Sequence, residues 1–150
     1  MQKKVLMVCL GNICRSPLAE GILKDKVDPS LVYVDSAGTA GYHVGEQPDP
    51  RSIAIAQKHL IDITNQKCRQ FQVTDFDNFD FIFVMDQSNY QNVLRLARNK
   101  DDRMKVDYIL NLSHPKKNLE VPDPYYGGDQ GFENVFNMLN KACDILLEKL

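Results

Sequence analysis

The sequence predicts a three-layer αβα fold, with a four-stranded parallel sheet in the strand order 2-1-3-4. Two observations predict it. Strand-like apolar runs alternate with segments of helical periodicity along the chain, the pattern of an α/β fold built from right-handed crossovers. The first strand also runs into a short Gly-Asn loop and then directly into a helix start. Placing strands two and three on opposite sides of strand one puts that loop at the topological switch point, where open α/β sheets take their ligands.

Lys4 to Cys9 (KVLMVC) reads as the buried first strand. Ser16 suits a helix cap and Pro17 the first helical position, and Leu18, Ala19, Ile22 and Leu23 then form one apolar stripe. Val32 to Ser36 is a second strand, followed by a glycine-rich loop from Gly38 to Gly45. Asp49-Pro50 opens a second helix that runs to about Leu60. Asp80 to Met85 is the most apolar β-type segment and reads as a central strand; Asp86 to Arg98 reads as a helix and Val106 to Leu110 as the fourth strand. After a polar loop reaching Asp129, Phe132, Val135, Phe136, Leu139, Cys143, Leu146 and Leu150 fall on one face of a closing helix.

At 150 residues the chain fits one domain, residues 1–150. An apolar share of 43% with 25% charged residues is globular composition. A net charge of -2 lacks the basic footprint of a nucleic-acid binder. The apolar runs Val5 to Leu10 and Phe81 to Met85 are far shorter than the ~20 residues that span a bilayer, so no membrane association is expected. The basic start Met1-Gln2-Lys3-Lys4 leads into Gly11-Asn12 without a small-residue cleavage site, which is unlike a signal peptide. Cysteines at 9, 14, 68 and 143 are too few for a disulfide scaffold. The expected setting is a reducing cytoplasm.

The chemistry concentrates in Cys9-Leu10-Gly11-Asn12-Ile13-Cys14-Arg15-Ser16-Pro17. A loop closing onto a helix N-terminus turns successive backbone N–H groups inward and forms an anion-binding nest. Gly11 and Asn12 are residue types that accept the left-handed backbone of a tight wrap. The same N–H groups and helix dipole favour a thiolate at Cys9. Arg15 can offer two parallel hydrogen bonds to phosphate oxygens, which lysine cannot. The Ser16 hydroxyl is placed to donate to the sulfur. A cysteine at a strand end is by itself ordinary core, and a C-x5-R pair alone is weak; the Gly-Asn interior, the Ser-Pro exit and the strand-to-helix context are what lift it. A Walker-type loop would need Gly-Lys-Ser/Thr at the helix start and is absent.

The stretch CLGNICRSP from Cys9 to Pro17 resembles the signature loop of the low-molecular-weight protein tyrosine phosphatases. Ser36-Ala37-Gly38-Thr39, Pro48-Asp49-Pro50-Arg51, Met85-Asp86 and Asp123-Pro124-Tyr125-Tyr126-Gly127 extend the resemblance to the whole chain. It implies hydrolysis of phosphotyrosine in proteins without a cofactor. By that resemblance Cys9 attacks phosphorus and forms a phosphocysteine, Arg15 and the loop amides of Leu10 to Cys14 bind the phosphoryl oxygens, and Asp123 is the general acid and base. Inorganic phosphate or another oxyanion is expected in the same loop. Tyr125 and Tyr126 wall the cleft, and Tyr42 stands on the opposite rim where the family has a large aromatic. Ser36 and Asn12 brace the loop. Cys14 closes reversibly on Cys9 under peroxide.

One departure lies in Asn65-Gln66-Lys67-Cys68-Arg69-Gln70, where the family often carries a bracing histidine. Asn65 or Gln66 could take over that bracing, and the sequence leaves both open. Cys68 and Cys143 read as buried thiols. His43, His59 and His114 lack metal-ligand spacing and read as surface or structural, so no metal is expected.

Four rival activities fit less well. Arsenate reduction needs a further cysteine pair on a mobile segment, and Cys68 and Cys143 stand 75 positions apart. Phosphoarginine hydrolysis favours a small polar residue where Ile13 stands, and Ile13 suits a flat phenyl ring. A phosphopeptide-binding module without turnover would be expected to lack Cys9, Arg15 or Asp123, and all are present. Thiol–disulfide exchange would favour C-x-x-C, which is absent.

Overall fold

β1 (Lys3–Cys9) is the hub of the sheet. The structure, a computed structural model, describes residues 2–150, and at Tyr126 the backbone alone. β1 pairs in parallel with β2 (Val32–Gly38) on one side and with β3 (Phe81–Val84) on the other. β4 (Val106–Tyr108) adds to β3, so the order is β2-β1-β3-β4. Val5 to Cys9 are buried throughout, as a strand covered on both faces must be. Alternate residues feed two cores. Val5, Met7 and Cys9 face α1 (Arg15–Lys26), α2 (Pro50–Lys58) and α6 (Gly128–Lys149), while Leu6 and Val8 face Phe71, Phe76 and Val93.

Two local expectations are corrected, and two short helices stand where none was expected. α1 begins at Arg15, with Cys14 at its cap and no side-chain capping bond, so Ser16 is inside the helix and is not its cap; its hydroxyl is committed elsewhere. The helix expected from Asp86 to Arg98 is shorter, ending at Leu94, and a separate helix that was not expected follows beyond it. α4 (Gln87–Leu94) opens with a reciprocal capping box between Asp86 and Asn89, and α5 (Lys100–Met104) opens with Asn99 accepting from the Asp102 N–H. A cap residue just past the expected helix offers the backbone a new start that an apolar pattern does not reveal. A four-residue helix, α3 (Asp75–Asn78), had no periodicity to announce it.

Gly21 of α1 is a packing requirement: a Cβ there would lie 2.5 Å from Ile63 Cγ2. The segment after α2 can therefore rest directly on the helix that carries Arg15. No helix among the described residues is long and apolar enough to cross a membrane.

Candidate active site

Parallel strands deliver their following loops to one edge, and at this edge β1 gives way to the 9–16 loop. Its carbonyls are drawn outward. Cys9 O accepts from Thr39 N (2.9 Å), Leu10 O from Ala40 N (2.9 Å), Ile13 O from Asp49 N (2.8 Å), and Cys14 O from Leu18 N (3.4 Å) and Ser52 Oγ (3.3 Å). Asn12 O accepts from the Cys68 thiol at 2.8 Å. In a trans peptide the N–H opposes the C=O, so the next residue's N–H in each case is turned toward the inside of the loop. The result is an anion nest at a helix N-terminus. The wrap demands a glycine beside it: a Cβ on Gly38 would sit 2.8 Å from Leu10 O and 3.0 Å from Asn12 N.

Asn12 takes the left-handed conformation, φ 58°, and is held from all sides. Its Nδ2 donates to Ser16 Oγ (2.8 Å) and Ser36 Oγ (2.9 Å), and its Oδ1 accepts from Arg69 N (2.9 Å). Ser36 Oγ in turn donates to the buried Glu20 at 2.5 Å, and Lys24 donates to the other Glu20 oxygen at 2.6 Å. Burial raises the Glu20 carboxyl above its usual range, against the lowering pull of Lys24 and Ser36. The chain of donors has one direction. Ser36 spends its hydrogen on Glu20, Asn12 supplies both serines, and the Ser16 hydrogen is left for Cys9 Sγ, 3.0 Å away.

Arg15 is buried, and its Nη1 donates to Asp86 Oδ2 and to Val121 O, each at 2.9 Å. Val121 N donates to Met85 O at 2.8 Å, which seats the strand of chain leading to Asp123 beside the end of β3. Asp123 is exposed, and its Oδ1 accepts from Tyr125 N (2.9 Å), capping a 3₁₀ turn at Pro124–Tyr126.

These groups line one cleft of about 390 Å³: Cys9, Leu10, Gly11, Ile13, Cys14 and Arg15 from the loop, Tyr42 and His43 from one rim, Asp123 and Tyr125 from the other. Tyr42 is 79% exposed. Arg51 lies over the Tyr125 ring at 4.7 Å while gripping Asp49 with two nitrogens, at 3.1 and 3.0 Å. The side chain of Tyr126, expected in the cleft, lies outside the described residues. Cys14 is half-buried, and burial, then Asp49 and Cys9, push its thiol up to about 12.

The bracing expected of Asn65 or Gln66 falls elsewhere. Asn65 is exposed, and Gln66 Nε2 reaches Pro17 O at 3.0 Å; the groups on Asn12 are the Cys68 thiol and the Arg69 N–H. The sequence assigns no role to Asp86 or Glu20, and His43, expected at the surface or in a structural place, lines the cleft. Asp86 carries a signal in retrospect, since it directly follows the central strand at the ligand edge. Glu20 carries another, as an acid inside the apolar stripe of α1.

The family model described as low molecular weight phosphotyrosine protein phosphatase matches residues 4–150. The low molecular weight phosphotyrosine protein phosphatase of Sus scrofa is 40% identical over 153 residues, covering 99% of this chain and 96% of its own. A protein tyrosine phosphatase from Entamoeba histolytica, solved with Hepes in its active site, superposes with a TM-score of 0.90 at 38% identity, over 99% and 96% of the two chains. A Drosophila arginine phosphatase superposes with a TM-score of 0.87 at 34% identity, over 97% and 96%.

Proposed function

Because the chain belongs to the low molecular weight phosphotyrosine protein phosphatase family, we propose that it hydrolyses phosphotyrosine in proteins or peptides through a phosphocysteine intermediate, as one catalytic domain spanning residues 1–150. The observation that carries this reading is the meeting of Cys9, Arg15 and Asp123 in one cleft whose floor is a ring of inward N–H groups.

In the first step the Cys9 thiolate attacks phosphorus from the floor of the nest. The bond from phosphorus to the tyrosine oxygen breaks, and Asp123 gives its proton to that oxygen as it leaves. In the second step the Asp123 carboxylate takes a proton from water, the water oxygen attacks phosphorus, and the sulfur leaves as thiolate. Ser16 donates to that sulfur in both its free and its departing state. Arg15 and the loop amides hold the equatorial oxygens, which is where charge redistributes in phosphoryl transfer. Splitting one displacement into two is the benefit of the nucleophile. The chemistry is supplied by the chain's own groups, and a cytoplasmic setting suits a thiol that must stay reduced.

Phosphoarginine is the competing substrate, given the likeness to an arginine phosphatase. Ile13 on the cleft wall favours the flat tyrosine ring. Rates on matched phosphotyrosine, phosphoserine and phosphoarginine peptides decide: phosphotyrosine should be fastest and Cys9→Ser should abolish turnover. Faster phosphoarginine cleavage, or appreciable activity in Cys9→Ser, would overturn the proposal.

A further inference from the structure

Among the described residues, four of the five anchored loop carbonyls, those of Cys9, Leu10, Ile13 and Cys14, receive a backbone N–H. The fifth, Asn12, is anchored by the thiol of Cys68, 56 positions away in sequence. That carbonyl belongs to the same peptide group as the Ile13 N–H. Whatever holds the one outward holds the other inward.

We infer that Cys68 is a positioning residue for oxyanion binding: its S–H fixes the Asn12–Ile13 peptide so that the Ile13 N–H faces the phosphate. The inference rests on the proposed phosphatase reading for its biological meaning, and on the loop geometry alone for its mechanism.

Three features support it. First, the thiol is a donor at neutral pH. Burial, with the Cys9 and Glu46 charges adding to it, pushes it up to about 11. Its other acceptor in reach, Gln47 O, is 3.8 Å away against 2.8 Å for Asn12 O. Second, the donor is rigidly placed. Cys68 N donates to Glu46 O, Cys68 O accepts from Gly45 N, and the next residue's O accepts from Gly38 N. Arg69 then ties the segment to Asp35 and Asp75. Third, Asn12 is left-handed, a conformation that asparagine accepts more readily than most L-residues and that its neighbours fix in place. Cys68 holds its main chain and Arg69 its side chain. This single clamp does what Asn65 and Gln66 do not.

The test compares Cys68→Ala, which removes the donor, with Cys68→Ser, which keeps one. At the 2.8 Å sulfur–oxygen separation a serine hydroxyl stays within ordinary hydrogen-bond range. Two readouts are used: the phosphate concentration that half-protects Cys9 from iodoacetate, followed by peptide mapping, and the inhibition constant for phosphate during turnover. Cys68→Ala should weaken both by about fivefold, the equivalent of one ordinary hydrogen bond, while Cys68→Ser stays within about twofold of the parent. Equal binding in parent and Cys68→Ala overturns the inference, as does an equal loss in both variants with unchanged melting temperatures. If Cys68→Ala does not fold, Cys68→Val carries the same comparison. The alkylation arm needs no turnover, so a parent that binds phosphate but does not cleave phosphotyrosine would sink the substrate reading and leave the clamp standing. A parent whose Cys9 phosphate does not protect would sink the clamp.

Discussion

Arg15 and Asp86 meet across the ligand edge of the sheet, guanidinium Nη1 to carboxylate Oδ2 at 2.9 Å, with the arginine side chain 7% exposed and the aspartate 20%. The contact joins the start of α1 to the cap of α4, so Asp86 serves two donors. One oxygen takes Arg15 and the other takes the Asn89 N–H. The guanidinium is aimed before any oxyanion arrives. Asp86→Asn keeps the shape but only one acceptor oxygen; with that oxygen on the Asn89 N–H, the amide NH2 faces Arg15 and the charge-assisted bond, worth about 1.5–3 kcal/mol, is lost. Phosphate inhibition should weaken and kcat/KM fall by about tenfold or more, with melting within a few degrees of the parent. Unchanged kinetics would mean that Arg15 aims itself.

Among the described residues, the exposed Asp123 side chain is held through its own turn, as would suit the proton donor and acceptor proposed for it. Asp123→Ala should slow alkyl and unactivated aryl phosphates by about 10²–10⁴ while sparing esters whose leaving group needs no proton. A plot of rate against leaving-group pKa measures this. A parallel drop across the series would remove the proton-donor role.

Cys14 sits in the cleft with a thiol pushed up to about 12, by burial first, then by Asp49 and Cys9. By the family resemblance, peroxide should convert the Cys9 thiolate to a sulfenic acid with loss of hydroxide. Attack by Cys14 sulfur then forms the Cys9–Cys14 disulfide and expels water. Burial and Asp49 hold the Cys14 thiol up, so it is protonated at neutral pH. The attacking thiolate therefore grows with pH, and closure should speed up about tenfold per unit between pH 6 and 9 without a plateau. Stopped-flow oxidation followed by mass spectrometry reads the rate. A plateau below pH 8, or equal recovery by reductant in Cys14→Ser, would contradict this account.

Leu60 follows the end of α2 with φ 63° and is 92% exposed. A β-carbon is strained there and the side chain buries nothing in return. Leu60→Gly should stabilise the fold by ~0.5–1 kcal/mol, raising the melting temperature by a few degrees. Calorimetry decides, and a lower melting temperature would show that Leu60 has a contact worth keeping.

What the sequence revealed and what it hid divide along a physical line. The sheet order and the Cys9–Ser16 loop were legible, because buried parallel strands and helix starts write themselves into neighbouring residues. α5 was hidden: a single asparagine, Asn99, caps a helix of five residues, too short to show a period. The brace on Asn12 was hidden for another reason. Cys68 and Arg69 reach it over 56 and 57 positions, and no spacing rule spans such a distance. The resemblance pointed to the right segment but to amides two and three residues short of the group that makes the bond.

The bare Cα at Gly21 now takes on a larger meaning. It sets how closely the 61–70 stretch lies against the helix bearing Arg15, with Ile63 filling the space a methyl would need. That stretch carries the two residues gripping Asn12, Cys68 and Arg69. One carbon inserted at this remote shim would wedge the two apart and loosen the cup from behind, so the activity of the front of the molecule is gauged by an omission at its back.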